Sequence, residues 1–160
     1  MDWKMTIVLR LVSLFKCPMV FFLGMIVEEI NLSICKIRVP LRFRSKNPMG
    51  SMYFGALASG ADVAGALIAY KIVMSKKASV SILFRDMRAE FFKKATDDVV
   101  FVCKDGAIVE RVVNETLATC EGVEADVTVN AYLRSNVDGD PVAKFKMLLA
   151  VKARRARTAV

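Results

Sequence analysis

The stretch from Pro48 to Tyr70 constrains the fold most, because Asp62 is its only charged residue and alanine and glycine are abundant in it. A segment of this length is long enough to cross a bilayer. However, alanine and glycine drive insertion only weakly, and a carboxylate near the middle costs roughly 2.5–3.5 kcal/mol on insertion scales. The segment therefore predicts a long helix buried in a protein core, with a membrane-spanning helix as the alternative.

Small side chains surround this predicted helix on almost every side. They are Gly55, Ala56, Ala58, Ser59, Gly60, Ala61, Ala64, Gly65 and Ala66. Gly60 and Gly65 each cost about 1 kcal/mol of helix propensity relative to alanine, so close packing must compensate. The pattern predicts either a curved sheet wrapped around the helix or a second copy of the helix packed against it.

Strand-like segments flank the helix on both sides. Apolar and cationic residues alternate over 33–44, which is typical of a strand with one buried face. The segments predicted after the helix are strands at 80–92, 99–103, 125–133 and 143–151 and an amphipathic helix at 107–119. The order predicts an α+β fold in which the long helix covers one face of the sheet.

The first residues are also apolar, but Arg10 and Lys16 interrupt them. The uncharged run from Cys17 to Val27 is too short to span a membrane, and no clean cleavage site follows it. We expect two helical pieces, broken near Pro18, that dock on the core or lie on a membrane surface. The predicted organisation is an N-terminal helical segment at 1–32, a main domain at 33–152 and a basic tail at 153–160.

The chain contains no histidine, which excludes a Ser-His-Asp or Cys-His relay and any His-ligated zinc. Its four cysteines are widely spaced and form no C-x-x-C pair, so no metal site is expected. They are typical of reduced thiols in a cytoplasmic protein, with a disulfide framework as the alternative. Any catalysis must use a carboxylate, Lys, Tyr, Cys or backbone groups.

The net charge is +8, from 24 basic and 16 acidic residues. Such a charge favours anionic partners, namely nucleic acid, an anionic lipid surface or a phosphate-bearing small molecule, although a solvated basic surface is the alternative. No motif of interleaved aromatic and basic residues indicates nucleic acid, so no nucleic-acid partner is expected. A separate hypothesis is a basic peripheral protein that uses residues 1–30 and the cations at 152–157 to bind a membrane or, without any specific motif for it, nucleic acid.

Asp62 needs an explanation, because a lone carboxylate on an apolar helix loses hydration unless it is paired or near water. Gly55 lies at the start of the predicted helix, where the first N–H groups are unpaired. Asp62 lies two turns further along, about 10 Å from Gly55 along the helix axis. Two such helices related by a two-fold axis would bring one Asp62 near the other helix start. The alternative is a buried carboxylate satisfied by a backbone turn or an arginine.

The spacing of Asn47, Tyr53-Phe54-Gly55 and Asp62 resembles a motif of hotdog-fold acyl-CoA thioesterases. Thioesterases of the phenylacetate-pathway type carry Asn, five residues, His-Gly-Gly, six residues and then a catalytic Asp or Glu. The resemblance covers about residues 33–152, and residues 42–62 look like an uncharacterised, thioesterase-like branch of this superfamily. It implies a curved antiparallel sheet around the long helix, here with an N-terminal helical extension.

The resemblance also implies hydrolysis of acyl-CoA by a homodimer or a dimer of dimers, with coenzyme A entering only as part of the substrate. The thioester oxygen would lie at the backbone N–H of Phe54 or Gly55. Asp62 of the partner subunit would activate water or attack directly, and Asn47 would orient Asp62 or the substrate.

Four further residues are substrate-binding candidates: Tyr53, Ser59, Lys93 and Lys94. The two lysines are candidates for the phosphates of coenzyme A. Tyr53 stands where the family motif has histidine, and Phe54 replaces its first glycine. These departures leave a second hypothesis open, a hotdog protein that binds acyl-CoA or lipid without hydrolysing it.

Overall fold

The computed structural model describes residues 1–153 as four helices and six strands. The helices are α1 (Trp3–Lys16), α2 (Pro18–Leu23), α3 (Phe54–Ser75) and α4 (Gly106–Thr119). The strands are β1 (Ile26–Ile30), β2 (Cys35–Val39), β3 (Val80–Phe91), β4 (Val99–Cys103), β5 (Val123–Leu133) and β6 (Ala143–Ala153). Residues 154–160 of the predicted basic tail lie outside the described residues.

All six strands form one antiparallel sheet in the order β1-β2-β4-β5-β6-β3. Alternate residues of β5 and β6 are buried, as the period-two pattern predicts. The strands β1 and β3 are the two edges of the sheet. This α+β architecture, a sheet packed on one long helix, is the hotdog fold, so the predicted fold class is confirmed.

The helix α3 packs closely on the sheet because its contact face carries glycines. A Cβ atom at Gly60 would lie 2.4 Å from Cε2 of Phe101, and one at Gly65 would lie 2.8 Å from Cε of Met147. Phe101 and Met147 are fully buried strand residues. Larger side chains at either position would push the helix away from the sheet, which explains why Gly60 and Gly65 are glycines.

The helix α3 is also the one helix, among the described residues, that is long and apolar enough to cross a membrane. Sixty-one per cent of its most apolar window is buried inside the protein. Its packing on the sheet therefore favours a core helix over a spanning one.

The N-terminal segment differs from the prediction in its last part. The helices α1 and α2 are separated at Cys17, and α2 begins at Pro18, as expected for a helix break at a proline. Gly24, with φ +65°, then ends α2, and β1 follows within the segment predicted to be helical. A bulge between Val27 and Glu29 breaks the alternation of β1, so the sequence does not show a period of two there.

The first strand of the predicted main domain is also shorter than predicted. It ends at Val39, and the following turn leaves Phe43 95% exposed instead of buried on the sheet. The Ser45 hydroxyl closes this turn by donating to the Pro40 carbonyl at 2.6 Å and accepting from the Arg42 N–H at 2.9 Å. The alternation in residues 41–44 is therefore part of a turn.

Candidate functional site

Asp62 lies in an apolar groove between α1 and α3. The groove has a volume of about 320 Å³, and Val8, Leu9, Val12 and Leu67 are among the residues that line it. Asp62 is solvent-accessible and makes no hydrogen bond or ion pair to any other described residue. Within residues 1–153, therefore, neither an arginine nor a backbone turn satisfies this carboxylate, which was the alternative raised by the sequence.

The apolar walls of the groove affect the ionisation of Asp62. Desolvation by these walls raises the pKa of the carboxyl group above its ordinary value. The side chain is nonetheless open to solvent, so the groove removes part of its hydration without sealing it. A carboxylate of this kind binds a proton more readily than an ordinary surface aspartate.

The start of α3 supplies two backbone donors. Tyr53 caps the helix in an extended conformation, and its carbonyl accepts from the N–H groups of Ala56 and Leu57. The N–H groups of Phe54 and Gly55 have no acceptor within residues 1–153. Such donors at the positive end of a helix dipole can hold an oxyanion.

The ring of Tyr53 lies over this helix start. A Cβ atom at Gly55 would be 2.5 Å from Cε1 of Tyr53, and the ring centroids of Tyr53 and Phe54 are 4.7 Å apart. Both aromatic side chains are about half exposed or more. The two departures from the family motif therefore form an aromatic pair beside the free N–H groups.

Asn47 organises the loop that leads into the helix. Its amide donates to the Ser51 hydroxyl at 2.9 Å, and its carbonyl oxygen accepts from the N–H groups of Met49 and Ser51 at 2.9 and 3.2 Å. All of these contacts are local. Within one chain Asn47 supports the loop and does not contact Asp62.

The remaining predicted site residues lie apart from the groove lining. The Ser59 hydroxyl donates to the Gly55 carbonyl at 2.8 Å, inside the helix. Lys93 forms an exposed ion pair with Asp140 at 2.9 Å, while Lys94 is exposed and has no ion-pair partner among the described residues. A single chain therefore brings neither lysine to Asp62.

Two features of the site are not evident in the sequence. The apolar wall that faces Asp62 comes from α1, which is distant along the chain, and its role follows only from tertiary packing. A second cavity of about 210 Å³ is lined by Arg10, Arg42 and Arg44, among other residues.

Among residues 1–153, no three potential ligand side chains of the His, Cys, Asp or Glu type cluster to hold a metal ion.

A family model described as "Domain of unknown function (DUF4442)" matches residues 6–151 of the chain. No curated protein matches the sequence. Solved structures share the fold at low sequence identity. A protein of unknown function from Chlorobaculum tepidum TLS has a TM-score of 0.82 at 13% identity, and the match covers 94% of this chain and 96% of that chain.

Two further structures carry thioesterase descriptions. A Pseudomonas aeruginosa protein of unknown function, described as a probable thioesterase, has a TM-score of 0.76 at 18% identity, with 96% of this chain and 97% of that chain covered. A thioesterase from Haemophilus influenzae has a TM-score of 0.68 at 12% identity, with 93% and 92% covered. Likeness at this identity establishes the fold and leaves the chemistry to the site residues.

Proposed function

The chain belongs to the DUF4442 family, and from its hotdog fold and the groove at Asp62 we propose that it hydrolyses acyl-CoA thioesters. The observation that carries the proposal is a carboxylate with no partner among residues 1–153, in an apolar groove and on the helix whose first two N–H groups lack acceptors in that same range. Thioesterase descriptions among structures of the same fold agree with this class of reaction.

The groove suits an acyl chain. Apart from Asp62 and Lys16 its lining is mostly apolar, and its volume of about 320 Å³ lies within the range of small-molecule sites. An acyl chain would bury apolar surface there, while Asp62 would meet the polar end of the ligand or a water molecule.

Asp62 serves as the general base in this proposal. Its carboxylate accepts a proton from water while the water oxygen bonds to the thioester carbonyl carbon. The resulting oxyanion binds the N–H of Phe54 or Gly55. Collapse of this intermediate breaks the carbon–sulfur bond, and the proton passes to the departing thiolate, which gives a carboxylic acid and coenzyme A.

The two halves of this machinery are far apart in one chain, since seven residues of helix separate Gly55 from Asp62 by about 10 Å. We propose that a homodimer brings them together. The strand β3 is a twelve-residue edge strand whose only neighbour in the described sheet is β6. Pairing two β3 strands about a two-fold axis would lay two α3 helices antiparallel on one face of a continuous sheet.

A second candidate function is binding of acyl-CoA without turnover. It is favoured by the aromatic pair of Tyr53 and Phe54, which adds bulk beside the N–H groups that would receive the oxyanion. In that case the groove holds the acyl chain, but the carbonyl does not reach the donors.

Release of free thiol from a panel of acyl-CoAs, measured beside equilibrium binding of the same ligands, separates the two candidates. Hydrolysis predicts thiol release that saturates with substrate. Saturable binding with no thiol release supports the second candidate, and the absence of both contradicts the two candidates together.

A further inference from the structure

The outward face of the N-terminal helices is apolar. Residues that line the face of α1 and α2 opposite the core are large, hydrophobic and 42–80% exposed: Trp3, Ile7, Leu11, Leu14, Phe15, Met19 and Phe22. Helices on the surface of a monomer normally direct polar residues outward. An exposed face formed by seven large apolar side chains indicates a surface that contacts an apolar partner.

Three arginines form a cavity beside this face. Arg10, Arg42 and Arg44 line a pocket of about 210 Å³ together with Phe21 and Phe22. The Arg44 guanidinium donates to the Phe22 carbonyl at 3.2 Å and lies 5.2 Å from the centroid of the Phe22 ring. The Arg10 guanidinium donates to the Gly24 carbonyl at 3.5 Å.

The described part of the chain supplies no ion pair that neutralises the positive charge of this pocket. None of the three arginines forms an ion pair with a carboxylate within residues 1–153. Asp2 is the only carboxylate of residues 1–24, and it accepts from the Met5 N–H as the cap of α1. Converging guanidinium groups recognise phosphate oxygens through charge-assisted, often bidentate, hydrogen bonds.

We propose that the surface formed by α1, α2 and the three-arginine pocket docks on an anionic phospholipid bilayer. The apolar side chains enter the interface, and the arginines bind lipid phosphate. A second copy of the chain suits this surface less well, because a two-fold contact would bring the same cations against each other. Since α1 is also a wall of the Asp62 groove, docking would bring that groove to the bilayer surface.

The chain has its own reporter for this proposal. Trp3 is its only tryptophan, lies in α1 and is 58% exposed. Vesicles of phosphatidylcholine with phosphatidylglycerol should shift the Trp3 emission to shorter wavelength, and vesicles of phosphatidylcholine alone should shift it far less. Added salt should weaken the binding, because surface charges are screened.

Two variants test the two parts of the surface. Arg42→Gln with Arg44→Gln should weaken binding about thirtyfold, because each cation near an anionic surface contributes about 1 kcal/mol. The matched control is Lys104→Gln with Lys146→Gln, which removes the same charge. Lys104 follows Cys103, at the opposite end of the β2–β4 pair from Val39 and the turn that carries Arg42 and Arg44, and Lys146 is an exposed residue of β6. The control should therefore bind like the wild type.

Leu11→Ser with Phe15→Ser tests the apolar face, and both side chains are exposed enough to change without disturbing the core. This variant should also lose vesicle binding.

The proposal is overturned if anionic vesicles do not shift the Trp3 emission, if the lysine control loses as much binding as the arginine variant, or if the serine variant turns a dimer into a monomer. Competition by inorganic phosphate beyond its ionic-strength effect would assign the pocket to free phosphate and would also overturn it. None of these outcomes depends on thioester hydrolysis.

Discussion

A Cβ atom at Gly60 of α3 would lie 2.4 Å from Cε2 of Phe101 in β4, closer than real side-chain contacts allow. Phe101 is fully buried among the core strands, so its ring has little freedom to move aside. This contact sets how closely the helix approaches the sheet. It therefore also positions the two features of α3 on which the proposed chemistry depends, the helix start and Asp62.

Gly60→Ala should destabilise the protein by roughly 1–2 kcal/mol, because overpacking outweighs the gain of about 1 kcal/mol in helix propensity. Chemical denaturation measures the change. Gly122→Ala is the matched control, since its Cβ would meet only the flexible Lys152 side chain at 3.2 Å. The penalty at Gly60 should shrink in a Phe101→Leu background, and an undiminished penalty would contradict the assigned contact.

The periodic parts of the sequence predict most of this architecture. The central helix follows from the small-residue stretch, and β5 and β6 follow from strict alternation, because burial of one face imposes those patterns. The strand β1 was missed because its bulge at Val27 and Glu29 breaks the period. The alternation around Phe43 predicted a strand, and this was wrong, because residues 41–44 lie in a turn closed by Ser45. In a turn, alternating residues do not form one buried face, so the apolar and polar pattern there carries no structural meaning.

The site could be predicted only in part. Asp62 and the helix start stand out as local features, a lone carboxylate and small residues beside it. The apolar wall from α1 and the grouping of Arg10 with Arg42 and Arg44 are tertiary, since residues far apart in the sequence form them. The spacing of apolar residues along the chain predicts local helices and strands, but it does not predict contacts between distant segments.

Phe54→Pro tests the backbone donors without removing the helix. Proline lacks an N–H and is favoured at the first position of a helix, and Tyr53 already has a ψ of 138° that a following proline accepts. If the Phe54 N–H binds the oxyanion, thiol release should fall about 10²–10³-fold. Phe54→Ala keeps the N–H and is the control; equal activity of the two variants would exclude this donor.

Asp62→Asn should raise stability at neutral pH. Desolvation raises the pKa of the native carboxyl above its unfolded value, so ionisation costs stability as the pH rises through that unfolded value of about 3.9. The gain should be present near pH 7 and absent below about pH 3, where the carboxyl is protonated in both states. Thermal melts of wild type, Asp62→Asn and the exposed-strand control Asp126→Asn measure it. A gain that persists at low pH would contradict a desolvation origin.

The four thiols should divide into two classes. Burial raises the pKa of Cys35 to about 12 and that of Cys103 to about 11, and the two lie opposite each other on β2 and β4. Cys17 and Cys120 are exposed. A thiol reagent at neutral pH should therefore modify the two exposed cysteines rapidly and the buried two only after denaturation. Rapid reaction of the folded Cys17→Ser, Cys120→Ser variant would show that the core opens readily.

The rate of thiol release by wild type and by Asp62→Asn tests the central claim most directly. Asp62 is accessible and has no partner in the part of the chain that the structure describes, so the substitution should leave the fold intact, which acyl-CoA binding and thermal melts can verify. If the carboxylate activates water, Asp62→Asn should lose about 10²–10⁴-fold in thiol release while Asp126→Asn retains the wild-type rate. A folded Asp62→Asn protein that releases thiol as fast as the wild type would contradict the proposed function.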